Sequence, residues 1–330
     1  MPTPTQIPSA PAKPAPTGGP AGWEHRALYE AVKKTLFALP EEFTSSLVIR
    51  DFRATDIFTL NSALGASIED SVVTSLNRLR EVWDPDGKYS VYKFERQAQA
   101  FPDVRLVTDA EGLPSPLMGI ELKGWFAMAK EGEPTFRYTV TADACAPQDL
   151  LVVFPWVLSD VVAGSPKLLT PFVGEAKYAA QLRNYHWQTV RLAKGGNAGI
   201  TVATHRTPYP AQKADQSSDR ADGDGSGNFG RIARYGLLDT FVVATVKHLV
   251  SGIPVKAWLK FFTVFSDNNR ETEQVSIDVE RAFRIELLES QEQKDTIVRV
   301  LEMLASKLQD TPVKQSAAAV ASVASGKVAK

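Results

Sequence analysis

Apolar positions fall into two alternating regimes along the chain. Leu64, Ile68, Val72, Leu76, Leu79 and Trp83 recur every three or four residues and predict a helix with one buried face. Asp84-Pro85-Asp86-Gly87 follows and reads as a turn that ends it. The period then drops to two. Val104 and Leu106, then Met118, Ile120 and Leu122, alternate as half-buried strands do, with the breaker-rich Glu111-Gly112-Leu113-Pro114-Ser115-Pro116 between them. Leu150-Leu151-Val152-Val153-Phe154 is continuously apolar and predicts a central strand, closed by Pro155. A helical period returns after Gly174. Leu238 to Val250 and Trp258 to Phe265 read as further strands, and Ile297, Leu301, Leu304 and Leu308 as a last amphipathic helix. The expected fold class is α/β, a central mixed β-sheet flanked by helices.

Composition marks where this pattern stops. Residues 1–22 are rich in Pro, Ala, Thr and Gly and lack the apolar surface to offset the entropy of ordering, so they are expected to form a disordered tail. The same holds for 311–330. Between them 23–310 reads as a single domain interrupted by a long loop at about 204–230, where Pro, Asp, Ser and Gly crowd together. With 37 basic and 38 acidic residues, no global field announces a polyanionic partner, though balance says nothing about local distribution. The single Cys145 permits no internal disulfide. No apolar run reaches membrane-spanning length, so no membrane partner and a cytoplasmic location are expected.

Within the alternating segment one group of side chains suggests chemistry. Pro102-Asp103 is followed, after seventeen residues, by Glu121-Leu122-Lys123. In a strand, residues i and i+2 share a face, so Glu121 and Lys123 project together while Ile120 and Leu122 enter the opposite layer. If the Val104 strand pairs alongside, Asp103 at its start approaches Glu121. Two carboxylates are hard oxygen ligands for Mg²⁺, with Mn²⁺ as a substitute. A lysine beside them can hold or help deprotonate an attacking water and stabilise developing negative charge. Phosphodiester hydrolysis uses this set.

In these residues the chain resembles the PD-(D/E)XK nuclease superfamily, to which most Type II restriction endonucleases belong. The resemblance spans roughly residues 61–195. It implies a restriction-endonuclease-like core, Mg²⁺ dependence, cleavage of double-stranded DNA, and a homodimer whose two-fold axis matches a palindromic target. It also implies an acidic residue on the helix before the motif. Glu69, at the edge of that helix's apolar face, suits the part of a further metal ligand, and is equally a solvated helical carboxylate. The same core would serve a repair, structure-selective or modification-dependent nuclease. A non-catalytic DNA-binding or interaction protein is the alternative of another class.

Two rivals for the motif have simpler explanations. Asp86 is accounted for by its turn, and Glu175, in Glu175-Ala-Lys177, by capping charge at a helix start. The helix that follows carries Lys177, Gln181, Asn184, Gln188 and Arg191 on one side, with no carboxylate among them. Cations and amides of this kind suit phosphate and base-edge contacts with DNA, and are also the make-up of an ordinary solvated face. His186 and Trp187 are expected to pack. The four histidines and one cysteine show no zinc-ligand spacing, and no phosphate-binding loop, dinucleotide fingerprint or nucleophile elbow occurs.

Overall fold

The structure, a computed structural model, describes residues 12–50, 60–97, 100–129, 131–134, 138–161, 163–191, 200–201, 207–211, 220–221 and 236–267, with Ile277 and Arg299. By internal contacts the chain divides into two units, Met1–Leu259 and Lys260–Lys330. All of the sheet and the candidate site belong to the first. The expected helix at Ile297–Leu308 and the expected tail at 311–330 lie outside the described residues, apart from helical Arg299.

The first unit is α/β, with a mixed central sheet flanked by helices. Helix α1 (Arg26–Glu42) precedes α2 (Leu60–Arg78) and the short α3 (Arg80–Trp83). The single helix expected to reach Trp83 is therefore two. Trp83 supplies the reason: its buried indole N–H donates to the Leu76 carbonyl at 2.9 Å, the oxygen that the Arg80 amide would use in an unbroken helix. Six strands follow: β1 (Lys93–Arg96), β2 (Val104–Val107), β3 (Met118–Phe126), β4 (Leu150–Leu158), β5 (Pro166–Leu168) and β6 (Phe172–Glu175).

Strands β1, β2 and β3 form an antiparallel meander. Strand β3 then runs parallel to β4 from Ile120↔Leu150 to Phe126↔Trp156. Strands β5 and β6 both pair antiparallel with the far edge of β4, at its end and its start respectively. Every residue of β4 is buried, which explains its unbroken apolar run. The strand continues through Pro155 instead of closing there. Proline lacks only the donor, and the Pro155 carbonyl still accepts the Leu169 amide at 2.8 Å.

Register divides the side chains between two layers. Val104, Leu106, Met118, Ile120 and Leu122 are buried on one face, where α2 lies against β1 and β3. Trp125, Leu151 and Val153 share the other face with Ala176, Ala179 and Ala180 of α4 (Ala176–Tyr185), and with Tyr138, Val140, Ala144 and Cys145. Small residues on α4 let that helix approach the sheet closely. A π-helical turn (His186–Arg191) continues it.

Beyond that turn, the short strands β7 (Ile200–Thr201) and β8 (Arg220–Ala221) pair with each other. Two further expectations then change type. The stretch read as a strand from Leu238 holds helix α5 (Asp239–Thr245), and after it β9 (Leu249–Val250) pairs with β10 (Ile253–Pro254). The Trp258–Phe265 stretch belongs to helix α6 (Val255–Asp267). Buried Val255, Trp258, Phe261 and Phe262 recur at helical spacing, whereas Lys256 and Thr263 are exposed. At the N-terminus, the expected tail has defined contacts within residues 12–22: Thr17 and Gly19 bind the Glu175 carboxylate.

No helix among the described residues is long and apolar enough to cross a membrane.

Leu76 is fully buried where α2 meets the sheet. Leu76→Ala is expected to lower unfolding stability by about 2–5 kcal/mol in urea titration; a loss well below that range would mean that this layer is not closely packed.

Candidate active site

The strand pairing delivers Asp103 to Glu121. Val104 lies opposite Ile120, so one residue earlier on β2 and one later on β3 the chain brings Asp103 across from Glu121. Four polar contacts follow. The Asp103 amide donates to Glu121 Oε2 at 3.3 Å. The Leu122 amide donates to Asp103 Oδ2 at 2.8 Å, the side chain taking over where the β2 backbone ladder has stopped. Lys123 Nζ lies 2.6 Å from Glu121 Oε1 and 3.4 Å from Asp103 Oδ2.

Both carboxylates therefore converge on one ammonium group. Side-chain exposures of 11%, 17% and 19% for Glu121, Lys123 and Asp103 leave the group largely buried but still in touch with solvent. Burial lifts the Glu121 carboxyl to about 7; Lys123 opposes the rise and Asp103 adds to it. Burial works against charge on Lys123 too, but Glu121 and Asp103 outweigh it and hold the ammonium well above its ordinary value. Lys123 is thus a cation at neutral pH.

Pro102 and Gly119 fit Asp103 to the sheet. A Cβ at Gly119 would fall 2.3 Å from Pro102 Cγ, so only a bare α-carbon lets the Pro102-Asp103 corner lie against β3. Behind this contact stands Asp149, completely buried at the foot of β4. Its carboxylate accepts the amides of Gly119 and Ala146, both at 2.8 Å, and the Tyr209 hydroxyl. Burial raises it to about 7, against the pull of those three donors and of Arg105.

The remaining candidates are placed differently. Glu69 does not join the group: its Oε2 accepts Arg96 Nη2 at 2.9 Å and Nε at 3.3 Å. Arg96 is registered with Val104 and so with Ile120, on the sheet face opposite Glu121 and Lys123. Lys177 is half-buried, 3.8 Å from Asp143, and Gln181 and Gln188 are half-buried. Asn184 departs from that stripe. It is buried, and its Oδ1 accepts from Nε and Nη2 of the fully buried Arg183, which also donates to the Tyr138 and Val140 carbonyls. Arg191 lies in the π-helical turn. Trp187 is fully buried and Asp86 lies exposed in its turn.

Glu175 makes no side-chain cap to α4. Instead its Oε2 accepts the Thr17 amide and hydroxyl and its Oε1 the Gly19 amide, each at 2.9 Å. Sequence reasoning missed this partner because the binding groups, two backbone amides and a hydroxyl, lie far away in the chain. It also missed Asp149, although an acidic residue at the foot of a wholly apolar strand was a visible signal.

Among the described residues no three or more His, Cys, Asp and Glu side chains gather as a metal cage. Asp103 and Glu121 alone form a hard-oxygen pair that already holds a cationic group and, with both ionised, carries one negative charge in excess of Lys123. That donor set suits a cation completing its shell from water and substrate, as Mg²⁺ does with one or two carboxylates. No protein-family model, curated protein or solved structure matches the chain.

With its carboxyl raised, the folded chain holds the Glu121 proton more tightly than the unfolded chain does. Stability contributed by Glu121 is therefore highest below its unfolded value near 4.5 and falls as pH rises through about 7. Glu121→Gln removes this dependence. Urea unfolding should show the variant gaining on wild type by on the order of 2 kcal/mol between about pH 5 and about pH 8; a difference that moves the other way as pH rises would contradict a raised Glu121.

Proposed function

We propose that this chain is a metal-dependent endonuclease of the PD-(D/E)XK type, hydrolysing phosphodiester bonds of double-stranded DNA. The observation that carries the reading is the convergence of the Asp103 and Glu121 carboxylates on Lys123 at a largely buried place that solvent still touches. The mixed sheet, with the motif on adjacent strands and a helix on each face, is compatible with a restriction-endonuclease-like core.

Asp103 and Glu121 are the residues that would hold Mg²⁺, which when bound neutralises charge on the scissile phosphate and lowers the pKa of a coordinated water. Glu69 is left out of this set by its bond to Arg96. Lys123 works as an ammonium. Held charged by its two neighbours, it donates hydrogen bonds to the attacking water or to a phosphate oxygen, and offsets the negative charge that grows as water adds to phosphorus and the ester oxygen leaves. The Leu122 amide fixes Asp103, so the carboxylate is in place before substrate arrives.

Lys177, Gln181 and Gln188 are the proposed contacts to the duplex, in a homodimer that cuts both strands at a two-fold-symmetric target. Cleavage at a fixed sequence distinguishes this restriction-type reading from a repair or structure-selective nuclease using the same residues.

Digestion of a mixed-sequence plasmid with Mg²⁺ should give discrete fragments with wild type. Lys123→Ala and Asp103→Ala should each lose at least about 10²-fold in rate. A smear would leave the site and remove sequence specificity. Intact DNA across metals and substrates would overturn the reading and leave a binding or interaction protein whose ion pairs are structural.

A further inference from the structure

The buried Asp149 carboxylate has no part in the chemistry proposed above, and it is held with more care than a structural turn requires. It stands where β4 begins, one position before the first β3–β4 pair, and its Oδ1 takes the Gly119 amide that no β4 backbone group reaches. Its backbone carbonyl accepts the Ala176 amide at the start of α4, at 3.0 Å. One residue thereby joins the starts of β3, β4 and α4.

The third donor to this carboxylate comes from far along the chain. Tyr209 donates its hydroxyl to Asp149 Oδ1 and its amide to the Ala144 carbonyl at 3.1 Å. The Tyr209 ring also lies under the Arg105 guanidinium, 5.6 Å from its centroid. Arg105 Nη2 in turn donates to the Phe101 carbonyl at 2.7 Å, immediately before Pro102. Pro102 is thus held from two sides. Asp149 fixes the Gly119 backbone against which its ring packs, and Arg105, seated on Tyr209, fixes the peptide that leads into it. Asp103 is the next residue.

We propose that Asp149 and Tyr209 are positioning residues for Asp103, setting its carboxylate against the Leu122 amide and Lys123 through Gly119, Pro102 and Arg105. The inference concerns where Asp103 is held; its consequence for metal and DNA rests on the nuclease reading. Neither residue touches the reacting atoms. Partners one layer behind a metal-holding carboxylate commonly matter about 10–100-fold for metal affinity or activity. Tyr209 itself is fixed at the back of the site, although it falls in a stretch rich in Pro, Asp, Ser and Gly.

The test compares the full chain with Tyr209→Phe, which keeps the ring under Arg105 and removes only the hydroxyl, and with Asp149→Asn. Amide hydrogen exchange at Leu122 reads the Asp103 bond directly, without cleavage or metal. Calorimetric titration with Mn²⁺ and steady-state cleavage add affinity and a kcat-against-KM split. In Tyr209→Phe, Leu122 exchange is expected to quicken while the Val32 and Leu36 amides of α1 keep their protection. Mn²⁺ affinity and kcat should each fall about tenfold, at the lower end for an outer partner, with KM for DNA unchanged. Unaltered Leu122 exchange in Tyr209→Phe would overturn the proposal, whatever happens to melting temperature and whether or not Asp149→Asn folds. Should wild type neither bind Mn²⁺ nor cut DNA, the nuclease reading falls, yet Leu122 exchange still decides whether Tyr209 positions Asp103.

Discussion

Parallel pairing between β3 and β4, from Ile120 to Phe126 on one strand and Leu150 to Trp156 on the other, constrains everything around the site. A central parallel pair must be covered on both faces, and the chain covers it with α2 on one side and α4 on the other. Alternation along β3 then leaves little choice for its polar residues. Glu121 and Lys123 must share the α4 face with Trp125, near the start of the strand, where each has the other and Asp103 as charged neighbours. The β2 strand stops its ladder at this point, and Asp103 supplies with its side chain the acceptor that the backbone no longer offers to Leu122.

The electrostatics follow from that placement. Taking two carboxylates out of water is costly, and a single ammonium compensates for one of them. Glu121 answers by moving its proton affinity toward neutrality, and Lys123 by binding its own proton more tightly. On the proposed reading, a bound divalent cation would offset the negative charge that Lys123 leaves uncompensated. Asp149 shows the contrast. Fully buried, and given three hydrogen-bond donors with no ammonium, it is organised as part of the scaffold behind the site.

Much of this core was legible in the sequence because its strands alternate or run apolar without interruption. Met118, Ile120 and Leu122 against Val104 and Leu106 placed β2 and β3, and with them the meeting of Asp103 with Glu121 and Lys123. The α/β class followed. What was not legible depends on partners remote in sequence. Glu69 lies on the expected helix, but the identity of its partner, Arg96, is set by the β1–β2 register. Asn184 falls on a polar stripe by counting residues, yet its neighbour Arg183 turns into the core toward the Tyr138 and Val140 carbonyls and takes the amide along. The apolar run around Trp258 suited either a strand or a helix, and the recurrence of Val255, Trp258 and Phe262 was the better guide. Pro-rich composition hid the Thr17–Gly19 segment, because what orders it is the Glu175 carboxylate 156 to 158 residues away.

The nuclease reading stands on Asp103 and Glu121 forming a single metal seat. Crystals of the chain soaked in Mn²⁺ and measured at the manganese absorption edge test this without any assumption about substrate. Wild type should show an anomalous peak bound by both carboxylates, and Asp103→Ala should lose it. A cation bound elsewhere, or a peak unchanged by that substitution, would contradict the shared seat.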